Sequence, residues 1–111
     1  MTDADIGSGT ERCFSAAEIL SLDYEVLINV QADEPFHEPA NIDKLCDKMI
    51  YEEWPIGTLY TDFNEENEVK NPGNVKLVTN SRNEALYFSR SVIPSCPAGD
   101  NLNEFKRHVG M

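Results

Sequence analysis

The chain has 111 residues, enough for one domain with a modest hydrophobic core. Hydrophobic residues make up 41% and charged residues 26%, a globular balance that argues against wholesale disorder. Its 20 acidic and 9 basic residues give a formal net charge of −11, which repels nucleic acid and anionic membranes, so we expect neither as a partner. The same charge repels phosphate-rich ligands unless a metal ion or a basic segment offsets it.

The three cysteines, Cys13, Cys46 and Cys96, are odd in number, and no two have the C-x-x-C spacing. This pattern argues against a disulfide framework and against a zinc site, and it favours reduced thiols in a cytoplasmic setting. The N-terminus lacks the basic and apolar regions of a signal peptide, and no apolar run is long enough for a transmembrane span.

The first predicted element is an amphipathic helix with Thr10 as its N-cap. Apolar or small residues recur at positions i, i+3, i+4 and i+7 of this segment, namely Cys13, Ala16, Ala17 and Leu20. Such a stripe is typical of a helix that buries one face.

A strand is predicted next, over residues 25–30, because this nearly continuous apolar run is typical of a strand covered on both faces. Pro39 suits the first position of a second helix. The apolar stripe of that helix consists of Ile42, Leu45, Cys46, Met49 and Ile50. A strand followed by a loop and a helix indicates a βαβ unit and a parallel sheet.

Three further strands are predicted, over residues 56–61, 75–79 and 85–90. The last two are separated by a short polar segment and are expected to form an antiparallel hairpin. Asn71-Pro72-Gly73-Asn74 is a strong turn signal. Residues 105–111 look like the start of another element that stops abruptly, and the first residues form a loop that enters a helix with no strand before it. Both ends of the chain therefore look cut from a longer protein.

The segment Gln31-Ala32-Asp33-Glu34-Pro35 directly follows the predicted buried strand, where open α/β sheets bind their ligands. Asp33 can hold Mg²⁺ there, since this ion usually takes one or two protein carboxylates alongside substrate phosphates. Glu34 is either a second ligand or points away. The alternative is that Asp33 and Glu34 are solvated loop acids before a proline and bind no metal. From the spacing alone, this alternative is favoured.

Three other positions can bind an anion or a polar ligand. In Ser8-Gly9-Thr10-Glu11-Arg12, a glycine before a helix start lets main-chain N–H groups approach a ligand, and Arg12 can bind a phosphate, a carboxylate or a nucleobase oxygen. Arg90 ends an apolar strand as either an anion clamp or an edge charge. His108 can donate to a sugar or a carboxylate, although a structural histidine is the commoner case.

Five segments, in this order, carry a family resemblance: S-G-T-E-R at 8–12, I-N-V-Q-A-D-E-P at 28–35, N-P followed by V-K-L-V at 71–78, A-L-Y-F-S-R at 85–90 and F-x-R-H-x-G at 105–110. They resemble motifs of the 3-deoxy-manno-octulosonate cytidylyltransferases. Because the five motifs span the whole chain in the family's order, the resemblance is highly specific.

The resemblance implies that residues 1–111 are the central part of a single cytidylyltransferase domain. The implied fold is α/β, a three-layer, nucleotide-diphospho-sugar-transferase-like (Rossmann-like) mixed sheet, truncated at both ends. The implied reaction joins CTP and 3-deoxy-manno-octulosonate to give CMP-octulosonate and diphosphate, a step of lipopolysaccharide biosynthesis. The family also implies a cytoplasmic homodimer.

The resemblance assigns roles to seven residues. It implies that Asp33 binds Mg²⁺ and that Asp33 and Arg90 are catalytic. The implied nucleotide-binding residues are Ser8, Gly9, Arg12 and Gln31, and the implied sugar-binding residues are Gln31, Arg90 and His108. Lys76 matches a family motif, but no role is assigned to it.

The chain also departs from the family. Ala32 replaces a glycine, which would be strained if that position needs positive φ. The family's basic triphosphate-binding segment and its second metal-binding aspartate do not occur here, so we expect the isolated chain not to turn over CTP at a useful rate. Two alternatives stay open: an acylneuraminate-type cytidylyltransferase, which the motifs at Arg90 and His108 disfavour, and a non-catalytic dimerisation module.

Overall fold

The structure, a computed structural model, describes residues 2–32, 37–95 and 101–110. The chain divides into two compact units. The helical unit comprises Met1–Gly57 with Gly110–Met111, and the sheet unit comprises Thr58–Val109. No helix in the described ranges is long and apolar enough to cross a membrane.

Helix α1, Gly9–Ile19, confirms the first predicted helix, but its N-cap is Ser8 and not Thr10. An N-cap residue keeps an extended backbone, and Ser8 has φ −130° and ψ 153°. Ser8 Oγ accepts a bond from the main-chain N–H of Glu11 at 3.2 Å and donates to the Glu11 carboxylate at 3.2 Å. Thr10 already lies in the first turn, which rules it out as the cap.

Helix α2, Pro39–Tyr51, begins at the predicted proline. Leu45 is its buried position, while Ile50 at the end of the predicted stripe is 42% exposed. The helix packs closely against Gly57: a Cβ there would lie 2.8 Å from Met49 Sδ and 3.0 Å from Leu45 Cδ1. Gly57 therefore lets the chain pass the helix at a distance that no side chain permits.

The predicted strand over residues 25–30 is wrong for this structure, because these residues belong to no strand. A strand exists only where a neighbour pairs its N–H and C=O groups, and the described residues supply no neighbour here. Leu27 is 39% and Val30 45% exposed, so the apolar run is not covered on both faces. The predicted parallel βαβ pairing is accordingly not formed among the described residues.

The sheet unit contains four strands: β1 Leu59–Asp62, β2 Lys76–Thr79, β3 Ala85–Ser89 and β4 Lys106–Val109. Their order is β1-β4-β2-β3, and every neighbouring pair is antiparallel. The hairpin of β2 and β3 confirms the prediction, and residues 105–111 indeed contain a further element, β4. The strand predicted over residues 56–61 is displaced toward the C-terminus as β1.

A small hydrophobic cluster supports this sheet. It consists of Phe63, Val69 and Phe105, each at most 5% exposed, with Leu102 packed against it. Val69 belongs to α3, Glu66–Lys70, a short helix that the sequence did not predict. The acidic side chains in its first turn favour this helix through the macrodipole. Leu102–Glu104 forms a single 3₁₀ turn before Phe105.

The register of the sheet places two predicted site residues at one end. Lys76 of β2 is the cross-strand partner of both Ser89 in β3 and Arg107 in β4. Since both neighbours run antiparallel to β2, the next residues, Arg90 and His108, lie on either side of Val75.

Candidate functional site

In the helical unit, the start of α1 lies against the segment that leads to Gln31. A Cβ on Gly9 would be 3.1 Å from Asn29 Nδ2, and Cys13 Sγ donates to Asn29 Oδ1 at 3.4 Å. Asn29 therefore spans the first turn of α1, and Gln31, which is exposed, follows two residues later. The structure thus places the predicted nucleotide-binding residues of α1 beside the chain segment that carries Gln31.

Arg12 has a role that the sequence did not reveal. Its guanidinium donates from Nη1 to Thr2 Oγ1 and to Asp3 O, both at 3.0 Å, and from Nη2 to Ile6 O at 2.9 Å. These bonds fasten the loop that precedes α1 onto the helix. In this structure Arg12 therefore orders the loop around Ser8 and Gly9.

Asp33, the predicted metal ligand, lies outside the described residues, as do Glu34 and the rest of that segment to residue 36. Within the described ranges, no three histidine, cysteine, aspartate or glutamate side chains are grouped so that they could hold a metal ion. Ala32 belongs to the described part of the chain, in which the non-glycine residues with positive φ are Ser21, Glu53 and Asn83. The methyl group of Ala32 is therefore compatible with its backbone conformation.

In the sheet unit, His108 is held from two sides. Its Nε2 lies 2.8 Å from Thr58 Oγ1, and the edge of its ring meets Phe88 with the ring centroids 5.1 Å apart and an angle of 79°. Its main-chain N–H donates to Val75 O at 2.8 Å. The ring consequently has a fixed orientation at the end of the sheet where Arg90 also lies.

Arg90 is exposed, but hydrogen bonds hold one edge of its guanidinium. Its Nη1 donates to Pro72 O at 2.8 Å and to Gly73 O at 3.2 Å, two carbonyls of the turn between α3 and β2. The turn therefore fixes the position of a cation that remains accessible to a ligand.

Lys76 lies beneath this turn and is fully buried, with 0% exposure. Its Nζ donates to Asn74 O at 2.7 Å, Asn71 O at 3.1 Å and Arg90 O at 2.5 Å. Burial lowers the pKa of Lys76 below 10.5, and the charge of Arg90 lowers it further. A lysine between Val75 and Leu77, immediately after a turn signal, was the only sequence sign of this arrangement.

Lys106 is a second cation that the sequence did not single out. It lies two residues before His108 on β4, so both side chains share one face of the sheet. Its Nζ donates to Thr79 Oγ1 at 3.0 Å and to Tyr60 OH at 3.3 Å, and it lies 4.4 Å from the centroid of the Tyr60 ring. This face therefore combines positive charge and hydroxyl groups, a chemistry that suits an acidic sugar.

A sequence-family model described as "Cytidylyltransferase" matches residues 1–111. This chain belongs to the cytidylyltransferase family. The curated 3-deoxy-manno-octulosonate cytidylyltransferase of Pseudoalteromonas translucida is 38% identical over 119 residues, which cover 100% of this chain and 47% of that protein. The enzyme of the same name from Parabacteroides distasonis is 35% identical over 121 residues, with coverage of 100% and 48%.

A solved structure supports the same family and confirms the predicted fold class. It is that of CMP:2-keto-3-deoxy-manno-octonic acid synthetase complexed with CTP. The TM-score is 0.81 at 35% sequence identity, over 99% of this cytidylyltransferase chain and 44% of the solved one. The chain spans about half the length of the curated relatives it matches.

Proposed function

We propose that this chain is part of an enzyme that transfers CMP from CTP to 3-deoxy-manno-octulosonate and releases diphosphate. The observation that carries the proposal is the match of 99% of the chain, at a TM-score of 0.81 and 35% identity, to a synthetase solved with CTP. The names of the curated relatives support the choice of sugar acid.

On the nucleotide side, the proposal assigns the start of α1 and the segment before Asp33 to the cytidine. Because Gly9 has no side chain, the Asn29 amide packs against the main chain at the start of α1, and this contact brings the segment that carries Gln31 beside Ser8 and Gly9. Arg12 keeps the preceding loop in place through its three hydrogen bonds. Gln31, exposed at the end of the segment, is suited to hydrogen bonds with the substrates through its amide.

Mg²⁺ is the proposed cofactor, and Asp33 the residue that would hold it. The described residues provide no three-ligand cage, but an ion that binds a triphosphate needs only one or two protein carboxylates. When bound, the ion neutralises negative charge that develops on the phosphoryl oxygens. Two positive charges would also reduce, without cancelling, the repulsion between CTP and a chain of net charge −11.

On the sugar side, the proposal assigns Arg90 to the carboxylate of the octulosonate. A guanidinium binds a carboxylate through paired N–H groups, and the turn carbonyls already fix its position. His108, oriented by Thr58 and Phe88, donates to a hydroxyl or carboxylate of the sugar. The anomeric hydroxyl then attacks the α-phosphate in line, a reaction that depends chiefly on positioning and on charge neutralisation.

The test is a calorimetric titration of CTP into the 111-residue chain, with and without Mg²⁺. We expect binding that needs Mg²⁺, that is lost in Asp33→Asn and that is retained in Asp47→Asn, an exposed aspartate of α2 with the same change of charge. Equal binding by both variants would contradict the assignment of Asp33. We also propose that the chain alone turns over CTP poorly, and a rate typical of the family would contradict that statement.

Self-association is a second candidate function, and strand β3 favours it. This strand is at an edge of the sheet, and Leu86 and Tyr87 are 65% and 62% exposed. An exposed apolar edge is a surface to which a second copy can add its own strand. Sedimentation should therefore show a dimer that Leu86→Lys weakens, and a wild-type protein that stays monomeric at high concentration would exclude this function.

The proposed location is the cytoplasm. The proposal rests on the odd number of cysteines and the lack of a C-x-x-C spacing, which favour reduced thiols and hence a reducing compartment. Thiol counting on protein isolated under alkylating conditions tests this, and an oxidised form in the cell would contradict it.

A further inference from the structure

Lys76 holds the turn Asn71–Asn74 and Arg90 together through main-chain atoms only. Its Nζ binds the carbonyls of Asn71 and Asn74, at the two ends of the turn, and the carbonyl of Arg90. Arg90 Nη1 donates to the two carbonyls between them, those of Pro72 and Gly73. All four carbonyls of the turn therefore accept a hydrogen bond from one of these two cations.

A buried ammonium is an unfavourable way to fill space. Lys76 is 0% exposed, and all three of its hydrogen-bond acceptors in the described structure are neutral carbonyls. Removing a charge from water without an opposite charge is expensive, and a methionine of similar length would fill the site without that penalty. What the ammonium provides here, and an apolar chain would not, is three hydrogen bonds that join carbonyls of two separate segments.

Both sets of Lys76 contacts affect the position of Arg90. Lys76 fixes the main chain of Arg90 directly, and it fixes the ends of the turn whose middle carbonyls receive the Arg90 guanidinium. Both ends of the arginine thus depend on one ammonium group.

We propose that Lys76 is a positioning residue that sets the Arg90 guanidinium in the place from which it binds the carboxylate of a sugar acid. The assignment of the carboxylate to Arg90 rests on the function proposed above. The fixing of Arg90 by Lys76 does not, and the two parts are measured separately.

The first measurement is the rotation of the Arg90 guanidinium by NMR in the ligand-free chain, with Arg90→Ala to assign its signals. In the wild type we expect restricted rotation, and in Lys76→Met we expect fast averaging with the rest of the spectrum preserved. Lys70→Met, which removes an exposed lysine of α3, is the matched control and should leave Arg90 restricted. A folded Lys76→Met in which Arg90 remains restricted overturns the proposal.

The dependence should run in one direction. Lys76 contacts residue 90 through the main-chain carbonyl alone, which the Arg90→Ala change retains. Arg90→Ala should therefore leave the ammonium signal of Lys76 intact. If Lys76→Met does not fold, the wild type decides the matter: a freely rotating Arg90 overturns the proposal, and a restricted Arg90 beside a slowly exchanging Lys76 ammonium supports it.

The second measurement is the affinity of the same proteins for 3-deoxy-manno-octulosonate and for CTP with Mg²⁺. Lys76→Met should weaken sugar-acid binding about tenfold, the effect of losing one well-oriented charge-assisted hydrogen bond, and leave CTP binding unchanged. An unchanged sugar-acid affinity in Lys76→Met contradicts the functional part of the proposal. If the wild type itself binds no sugar acid, the proposed function fails, while the rotation of Arg90 still decides the role of Lys76.

Discussion

Two phenylalanines of the sheet unit should differ sharply in their contribution to stability. Phe105 is 1% exposed and packs with Phe63 and Val69, whereas Phe88 on β3 is 41% exposed. A phenylalanine buries about 200 Å², which at about 25 cal/mol per Å² sets an upper limit of about 5 kcal/mol for Phe105. Replacement by alanine also leaves a cavity at Phe105, and core Phe→Ala changes typically cost about 3–5 kcal/mol.

At Phe88 the same change should cost less, because solvent already reaches the ring and no closed cavity forms. Its edge contact with His108 adds about 1 kcal/mol, so we expect a total loss of about 2 kcal/mol. Urea unfolding followed by circular dichroism measures both variants, with about 4 kcal/mol lost in Phe105→Ala. Equal losses, or a larger loss in Phe88→Ala, would refute the assignment of the core.

Three smaller predictions concern single side chains. Ser8→Ala removes the cap of α1 and should lower the free energy of unfolding by about 1 kcal/mol in urea; no change would mean that the cap is not used. Because burial lowers the pKa of Lys76, the unfolded chain binds more protons between that lowered value and 10.5. The free energy of unfolding should therefore rise with pH in this window, and the rise should be smaller in Lys76→Met. Equal slopes in the wild type and in Lys76→Met would contradict the lowered pKa of Lys76. The hydrogen bond from Asn80 is the main cause that holds the pKa of Glu84 below 4.5, so Asn80→Ala should move the NMR-detected titration of Glu84 upward, and an unmoved titration would exclude that cause.

The sequence predicted the elements whose formation depends mainly on residues that are close in the chain. Helix α2 begins at Pro39 because proline lacks the N–H that a first helical position leaves unpaired anyway. The hairpin of β2 and β3 follows from two apolar runs around a short polar segment. The apolar stripe predicted helix α1. The predicted cap was two residues too late, because Ser8, Gly9 and Thr10 are all residue types that suit an N-cap.

Two features that depend on distant partners were not predicted correctly. Residues 25–30 have the composition of a buried strand, but a strand needs a neighbour that sequence pattern alone does not provide. Helix α3 has five residues, too few to be stable alone, and it forms where Val69 packs with Phe105 from the far end of the chain.

The residues of the candidate site were likewise predicted only in part. Motif resemblance named Arg90 and His108, and the register of the sheet then explains why they lie at one end. Two of the three hydrogen bonds of Arg12 with the loop, and all those of Lys76, are made to main-chain carbonyls, whose directions are set only by the folded backbone. No spacing rule in the sequence encodes such directions.

The most direct test of the account is an NMR titration of isotope-labelled protein with CTP and Mg²⁺, read at the main-chain amides. The account predicts that the largest shifts fall on Ser8–Arg12 and on Asn29–Gln31, with Asp33→Asn abolishing them. Shifts confined to other residues, or no shifts from a demonstrably folded protein, would contradict the claim that this chain carries the cytidine-binding half of the site.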